Sequence, residues 1–218
     1  MKRLAVLFLS GSVMFAGCAL DPSLRSVRPI DFGKRQLVAV GDMQNLTGNP
    51  AYDPLLEGLT GSLIVELHET ECFRVIERQR LKSIIEEMKL GMTGLTDPAM
   101  TKKVGTMVGA DAILFVDLAS VTYDASKSSA FIVQATMEKV EMTMDARLVS
   151  VDKGEILAAS KVTIPHSNYY ASGYFGLMKA GEKADQKQLV QKALETSMQR
   201  LARELAWQVS SRTASREK

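Results

Sequence analysis

Between Glu138 and Val149 the chain alternates without a break. Val140, Met142, Met144, Ala146 and Leu148 are interleaved with Lys139, Glu141, Thr143, Asp145 and Arg147. A period of two sends every second side chain to the same face, so this stretch predicts an antiparallel strand with one dry and one wet face. Asp152-Lys153-Gly154 supplies a hairpin turn, and Glu155 to Ile164 pairs back. Leu37 to Val40 and Ala110 to Leu118 follow a second pattern, nearly unbroken apolar runs that suit strands covered on both faces. A chain holding both patterns needs a sheet that is sandwiched in one part and half-wet in another.

The helices follow from periods near 3.6. Tyr52 to Glu69 places Leu55, Leu56, Leu59, Leu63, Ile64 and Leu67 on one face. Phe73, Val75 and Ile76 read as a short strand, and from Leu81 the period changes, with Ile84, Ile85 and Met88 completing a helical stripe. Gly91 and Gly94 end that stripe. Asp97 offers an N-cap, Pro98 suits the first helical position, and Gly109 closes the next short helix. Ala184 to Ser210 predicts a long final helix with Val190, Leu194, Leu201, Leu205 and Val209 inward, and the charged tail 212–218 is expected to fray. The fold class is α/β in the α+β sense: a mixed β-sheet flanked by helices, with extended β-hairpin regions and a long C-terminal helix. The first strand, helix and second strand form a βαβ unit whose crossover should be right-handed.

The N-terminus reads as an address. Lys2 and Arg3 precede an apolar core from Leu4 to Ala16, and Phe15-Ala16-Gly17-Cys18 closes it, the architecture of a secretory signal peptide over 1–17. Its end resembles a bacterial lipobox, which implies lipid on Cys18 and a tether over 18–36 before a periplasmic domain over 37–211. An ordinary signal peptide or an uncleaved anchor would leave Cys18 unmodified. Ala19, where an inner-membrane lipoprotein would carry Asp, points to outer-membrane sorting. Cleavage removes two of the 27 basic residues, leaving 27 − 2 = 25 against 25 acidic ones. A neutral body makes no case for nucleic acid as a partner.

Catalytic constellations are missing from the sequence, which reads as a non-enzyme without cofactor or metal. His68 and His166 have no Cys or second His at ligand spacing. Ser126 to Ser129 lacks a nucleophile elbow, Gly91 and Gly94 follow a helix rather than a strand, and Glu86 and Glu87 diverge around their helix. Asp117 and Asp145 fall in strands, where cross-strand pairing is the default. With Cys18 lipidated, Cys72 stands alone, so a disulfide framework is excluded and Cys72 is read as a small packed apolar residue, with a reactive or intermolecular thiol as the alternative.

Three stretches together resemble the curli production assembly/transport (CsgG-type) outer-membrane lipoprotein family: Phe73-Arg74-Val75-Ile76-Glu77-Arg78 with Leu81, Gly109 to Leu114, and Ala146-Arg147-Leu148-Val149 leading to Lys153-Gly154-Glu155-Ile156-Leu157. The resemblance implies a lipid-anchored protein on the periplasmic face of the outer membrane, a ring of identical subunits, and surface-polymer or curli-like secretion with fibre subunits or envelope proteins as partners. It places hairpin insertions at 121–178 and a pore loop near Asn49 and Tyr52. Tyr169, Tyr170, Tyr174 and Phe175 would then be membrane-interface aromatics. The hairpin regions depart from that pattern. The stretch from Tyr123 to Ala130 is polar and small, Ala130 to Met137 is a short spanning candidate, and Pro165 with two glycines interrupts Val162 to Met178. The alternative reading is a monomeric periplasmic lipoprotein that regulates a peptidoglycan synthase or stabilises an envelope complex.

Overall fold

The structure, a computed structural model, describes residues 26–77, 81, 83, 86, 98–130, 133–173, 178–181 and 185–216. Its frame is one mixed sheet of seven strands that curls into a half-barrel. In chain order the strands are β1 (Gln36–Val40), β2 (Gln44–Asn45), β3 (Phe73–Val75), β4 (Ala112–Ala130), β5 (Val133–Ser150), β6 (Ile156–Gly173) and β7 (Met178–Ala180). The helices are α1 (Asp53–Glu69), α2 (Pro98–Val108) and α3 (Gln186–Arg216). The sheet order is β3-β1-β4-β5-β6-β7, with β2 on the flank of β4. β1 pairs in parallel with both β3 and β4, while β4 through β7 are antiparallel. Both strand patterns of the sequence are therefore realised, the sandwiched one in β1 and lower β4, the half-wet one in β5.

The base holds two cores. On one face α1 buries Leu56, Leu59, Leu63 and Leu67, a spacing of three, four and four residues that keeps one stripe inward. They meet the stripe of α3, including Leu194, Met198, Leu201 and Leu205, and the dry face of β5 from Val140 to Leu148. On the other face Val104 and Val108 of α2 pack with Ala39, Ile113 and Val151. Gly105 sits against Val151 so closely that a Cβ would meet its methyl groups. Gly109 at φ +76° closes α2 as expected, with the Ala110 N–H bonded to the Gly105 carbonyl at 2.9 Å. Gly154 at φ +70° forms the turn between β5 and β6.

Four expectations need correction. The polar stretch after Tyr123 is no break, because β4 runs on to Ala130 with every residue in register with β5. Cross-strand backbone bonds decide this, not side-chain hydrophobicity. β6 likewise runs through Pro165 to Gly173. The last helix continues to Arg216, beyond the expected end, with Thr213 and Ser215 bonded to carbonyls four residues back. Finally, from Ser26 the tether lies on the domain: Ile30 is only 7% exposed and its N–H donates to the Glu71 carbonyl at 3.1 Å. The helix expected after Leu81 and the Asp97 cap lie largely outside the described residues.

Candidate functional site

Beyond Leu118 the sheet changes character. β1 and β2 pair with β4 only as far as Leu118, so above it β4, β5 and β6 continue as a three-stranded blade with, among the described residues, no strand on the outer side of β4. At about 3.3 Å per residue the 19 residues of β4 measure about 60 Å, and more than half of that length belongs to the blade. On the opposite side, β7 pairs only with Ala171, Ser172 and Gly173 of β6. The blade thus carries two long edges that, apart from β7 at the tip of β6, no described strand covers.

Register assigns its faces. The face that continues the core bears Tyr123, Lys127, Gln134, Thr136, Glu138, His166, Asn168 and Tyr170, and becomes polar toward the tip. The Tyr123 hydroxyl donates to Glu138 Oε1 at 3.0 Å across β4 and β5. Desolvation first, then this bond and the Glu138 charge, push the phenol pKa above its usual 10.0. The opposite face is ionic near the base: Arg147 meets Asp117 at 3.0 Å, Lys161 meets Asp145 at 3.8 Å, and Lys139 meets Glu141 at 3.3 Å. Toward the tip the same face turns apolar, with Met137 (49% exposed), Val133 (46%) and Tyr169 (56%) beside Ala135 and Ala171.

The site residues expected from the sequence fall in three places. Cys18 lies outside the described residues, as do Tyr174 and Phe175. Asn49 and Tyr52 are brought together by a single 3-10 turn, Pro50 to Tyr52, that Asn49 caps by accepting from the Ala51 N–H at 3.1 Å. Asn45 braces this turn through the Asn49 carbonyl at 2.8 Å and Asp53 at 2.7 Å. Both Asn49 and Tyr52 line a groove of about 580 Å³ against the start of α3 at Asp185, Lys187 and Val190. Tyr169 and Tyr170 are separated: Tyr169 lies opposite Met137 on the apolar face, whereas Tyr170 lies opposite Thr136 on the polar one. Adjacent strand residues point to opposite faces, so the two cannot belong to one interfacial girdle.

Cys72 is buried and its Sγ lies 3.4 Å from the Arg28 carbonyl. Burial raises its pKa, more than the opposing Thr70 hydrogen bond and Arg35 charge lower it, which fits a packed thiol. Among the described residues no three His, Cys, Asp or Glu side chains group as metal ligands, and no helix is long and apolar enough to cross a membrane, which leaves strands aside.

A half-barrel α+β domain with a protruding antiparallel blade is the class of protein this geometry defines. The chain belongs to the family of the curli production assembly/transport component CsgG, whose family model matches residues 28–218. Solved structures of similar fold include the LpoB C-terminal domain from Escherichia coli (18% identity, 59% of this chain and 82% of that one, TM-score 0.44). Lipoprotein GNA1162 from Neisseria meningitidis matches at 15% identity over 75% of this chain and 96% of its own, with TM-score 0.43. The PelC dodecamer from Paraburkholderia phytofirmans matches at 9% identity over 81% and 94%, with TM-score 0.40. At these levels the likenesses carry no argument about activity. No curated protein matches the sequence.

The sequence reading missed the docked strap from Ser26 to Arg35 and the length of the blade. The strap has a signal in hindsight, since Val27 and Ile30 are apolar residues three apart within a polar stretch.

Proposed function

We propose that this protein is a lipid-anchored component of the outer membrane, on its periplasmic face, that assembles with copies of itself and serves secretion or assembly of surface polymers without catalysing a reaction. The observation that carries this reading is the blade: among the described residues, no strand pairs with β4 above Leu118 on its outer side or with β6 below Ala171 on its own. Such edges are satisfied when neighbouring copies extend the sheet, and a repeated head-to-tail contact of this kind gives a ring where its rotation closes and a filament where it does not. Membership in the CsgG family supports the same assignment. The eight-residue step from Cys18 to Ser26 can span at most about 29 Å, which bounds how far the domain would stand from the lipid.

A specific observation favours the monomeric alternative, in which the domain regulates an envelope enzyme. The apolar band on β5 spans only Val133 to Met137 before Lys139 and Glu141 begin, about 17 Å at strand rise and short of the ~25 Å band of spanning barrels. Mild detergent extraction of the membrane fraction, mass measurement of the N-terminal peptide and negative-stain imaging separate the two readings. Ring-shaped particles of a chain acylated at Cys18 are the expected result; acylated monomers alone would remove the assembly reading, and an unmodified Cys18 would remove the anchor.

A further inference from the structure

The strap from Ser26 to Arg35 is held differently at its two ends. Its C-terminal part is clipped. Phe32 to Lys34 form a 3-10 turn closed by the Lys34 N–H on the Asp31 carbonyl at 2.8 Å. Arg74 of β3 donates through Nε to the Arg35 carbonyl at 3.2 Å. The Arg35 and Arg74 guanidiniums lie 5.6 and 5.8 Å from the centre of the Phe32 ring, within reach of its quadrupole. Arg35 then passes directly into β1, where Gln36 pairs with Phe73.

The N-terminal part, Ser26 to Ile30, rests on far less. Ile30 is its one buried side chain. The Ile30 N–H donates to the Glu71 carbonyl at 3.1 Å, and the Ile30 carbonyl accepts from Arg35 Nε at 2.7 Å. The third bond, from Cys72 Sγ to the Arg28 carbonyl at 3.4 Å, uses a thiol, a weak donor. Beyond Ile30 the strap borders a cleft of about 510 Å³, lined by Ser26, Val27 and Pro29 on one side and by Glu66, Glu69 and Arg203 of the helices on the other. The residue that receives Ile30 is itself strained. Glu71 has φ +55°, the left-handed region that favours glycine at the end of a helix. A segment with so few buried contacts opens at a cost below that of the whole fold. A pull on Ser26 loads these contacts one after another, Arg28 before Ile30, and meets the clip at Asp31.

We propose that Ser26 to Ile30 is a reserve of tether, which peels from the domain as a unit, stops at the Asp31–Arg35 clip and lengthens the link to the lipid. Eight residues lead from Cys18 to Ser26 and thirteen from Cys18 to Asp31, so the greatest span rises from about 29 Å to about 47 Å. The domain then has two ranges of distance from the membrane, short with the strap docked and long with it released. The change of reach rests on the anchor at Cys18; the peeling does not.

Residue-resolved amide exchange on the mature full chain, in mild detergent and with low urea, tests the peeling. The Ile30 amide should exchange at least tenfold faster than the amides of β4 and β5 in the base, with a much shallower dependence on urea. Arg28→Cys sets a second thiol beside Cys72. Oxidised to a disulfide it should slow Ile30 exchange at least tenfold, and reduction should restore the fast rate. The reach is read in phosphatidylethanolamine–phosphatidylglycerol vesicles by energy transfer from Trp207, the one tryptophan, to a dansyl-headgroup lipid. Transfer should be at least twofold stronger in the disulfide-locked chain than in the reduced one. Ile30 exchange that matches the base in rate and urea dependence, or that ignores the lock, would overturn the peeling. Equal transfer in locked and reduced chains acylated at Cys18 would overturn the change of reach. Mass measurement of the N-terminal peptide decides the anchor separately, so the two failures are told apart.

Discussion

Three strands, β4, β5 and β6, run through both the base and the blade, yet the two regions are held together by different forces. In the base, β4 and β5 bury Leu114, Leu118, Met144 and Leu148 under α1 and α3. The blade keeps the strand pairing but loses the cover: from Thr122 to Ser129 every β4 residue except Tyr123 is exposed. Apolar burial stabilises the first by about 25 cal/mol per Å², while the second stands on ladder hydrogen bonds whose net worth is about 1 kcal/mol each. A region that stays extended on so little burial is suited to being completed from outside. The difference teaches that the base sets the fold and the blade is left available for partners.

Core truncation should separate the two regions most strongly. Leu148→Ala in the base should cost about 2–5 kcal/mol, and Met137→Ala in the blade should stay within about 0.5 kcal/mol, both read by urea denaturation; equal losses would dissolve the distinction. Gly105→Ala forces a methyl group onto Val151 and should cost about 1–3 kcal/mol, seen as a lower melting temperature. Ile30→Ser should loosen the strap over Cys72 without unfolding the sheet. Maleimide labelling of Cys72, slow in the parent because the thiol is buried and its pKa raised, should then accelerate by about tenfold or more. An unchanged rate would show that Cys72 is shielded by the sheet alone.

The smallest effect concerns pH. Because the folded state raises the Tyr123 pKa, that group's stabilisation is fully present below about pH 10 and is lost as pH rises through the folded value. Tyr123→Phe should flatten the alkaline limb of the stability curve and leave the neutral region nearly unchanged. A steeper alkaline loss in the variant would contradict the sign.

Legibility in the sequence followed the same division. The apolar run of Leu37 to Val40 and the alternation from Val140 to Leu148 are read directly, because burial selects side chains at those positions. The blade was hidden for the complementary reason. Ser126, Lys127 and Ser128 have no strand preference of their own, and only register with Met137, Thr136 and Ala135 makes them β-structure. Pro165 reads as an interruption until its phase on an edge strand is known. Asn49 and Tyr52 do converge on one groove, but Tyr169 and Tyr170, adjacent in sequence, are parted by the pleat. Neither the Gln208 bond to Ala159 nor the docking of Ile30 beside Glu71 has a local signature, since each joins segments about forty or more residues apart.

Gln208 of α3 bonds the N–H and C=O of Ala159 from outside the sheet, and carrying that phase across places the N–H and C=O groups of Val121, Tyr123, Ala125, Lys127 and Ser129 on the outer edge of β4. Residue-resolved amide exchange on protein extracted from membranes, compared with dilute delipidated chain, therefore tests assembly through the blade most directly. Slowing of at least tenfold at these alternate amides in the extracted form, with the base unchanged, is predicted. Equal, rapid exchange of the β4 edge in both forms would contradict the account.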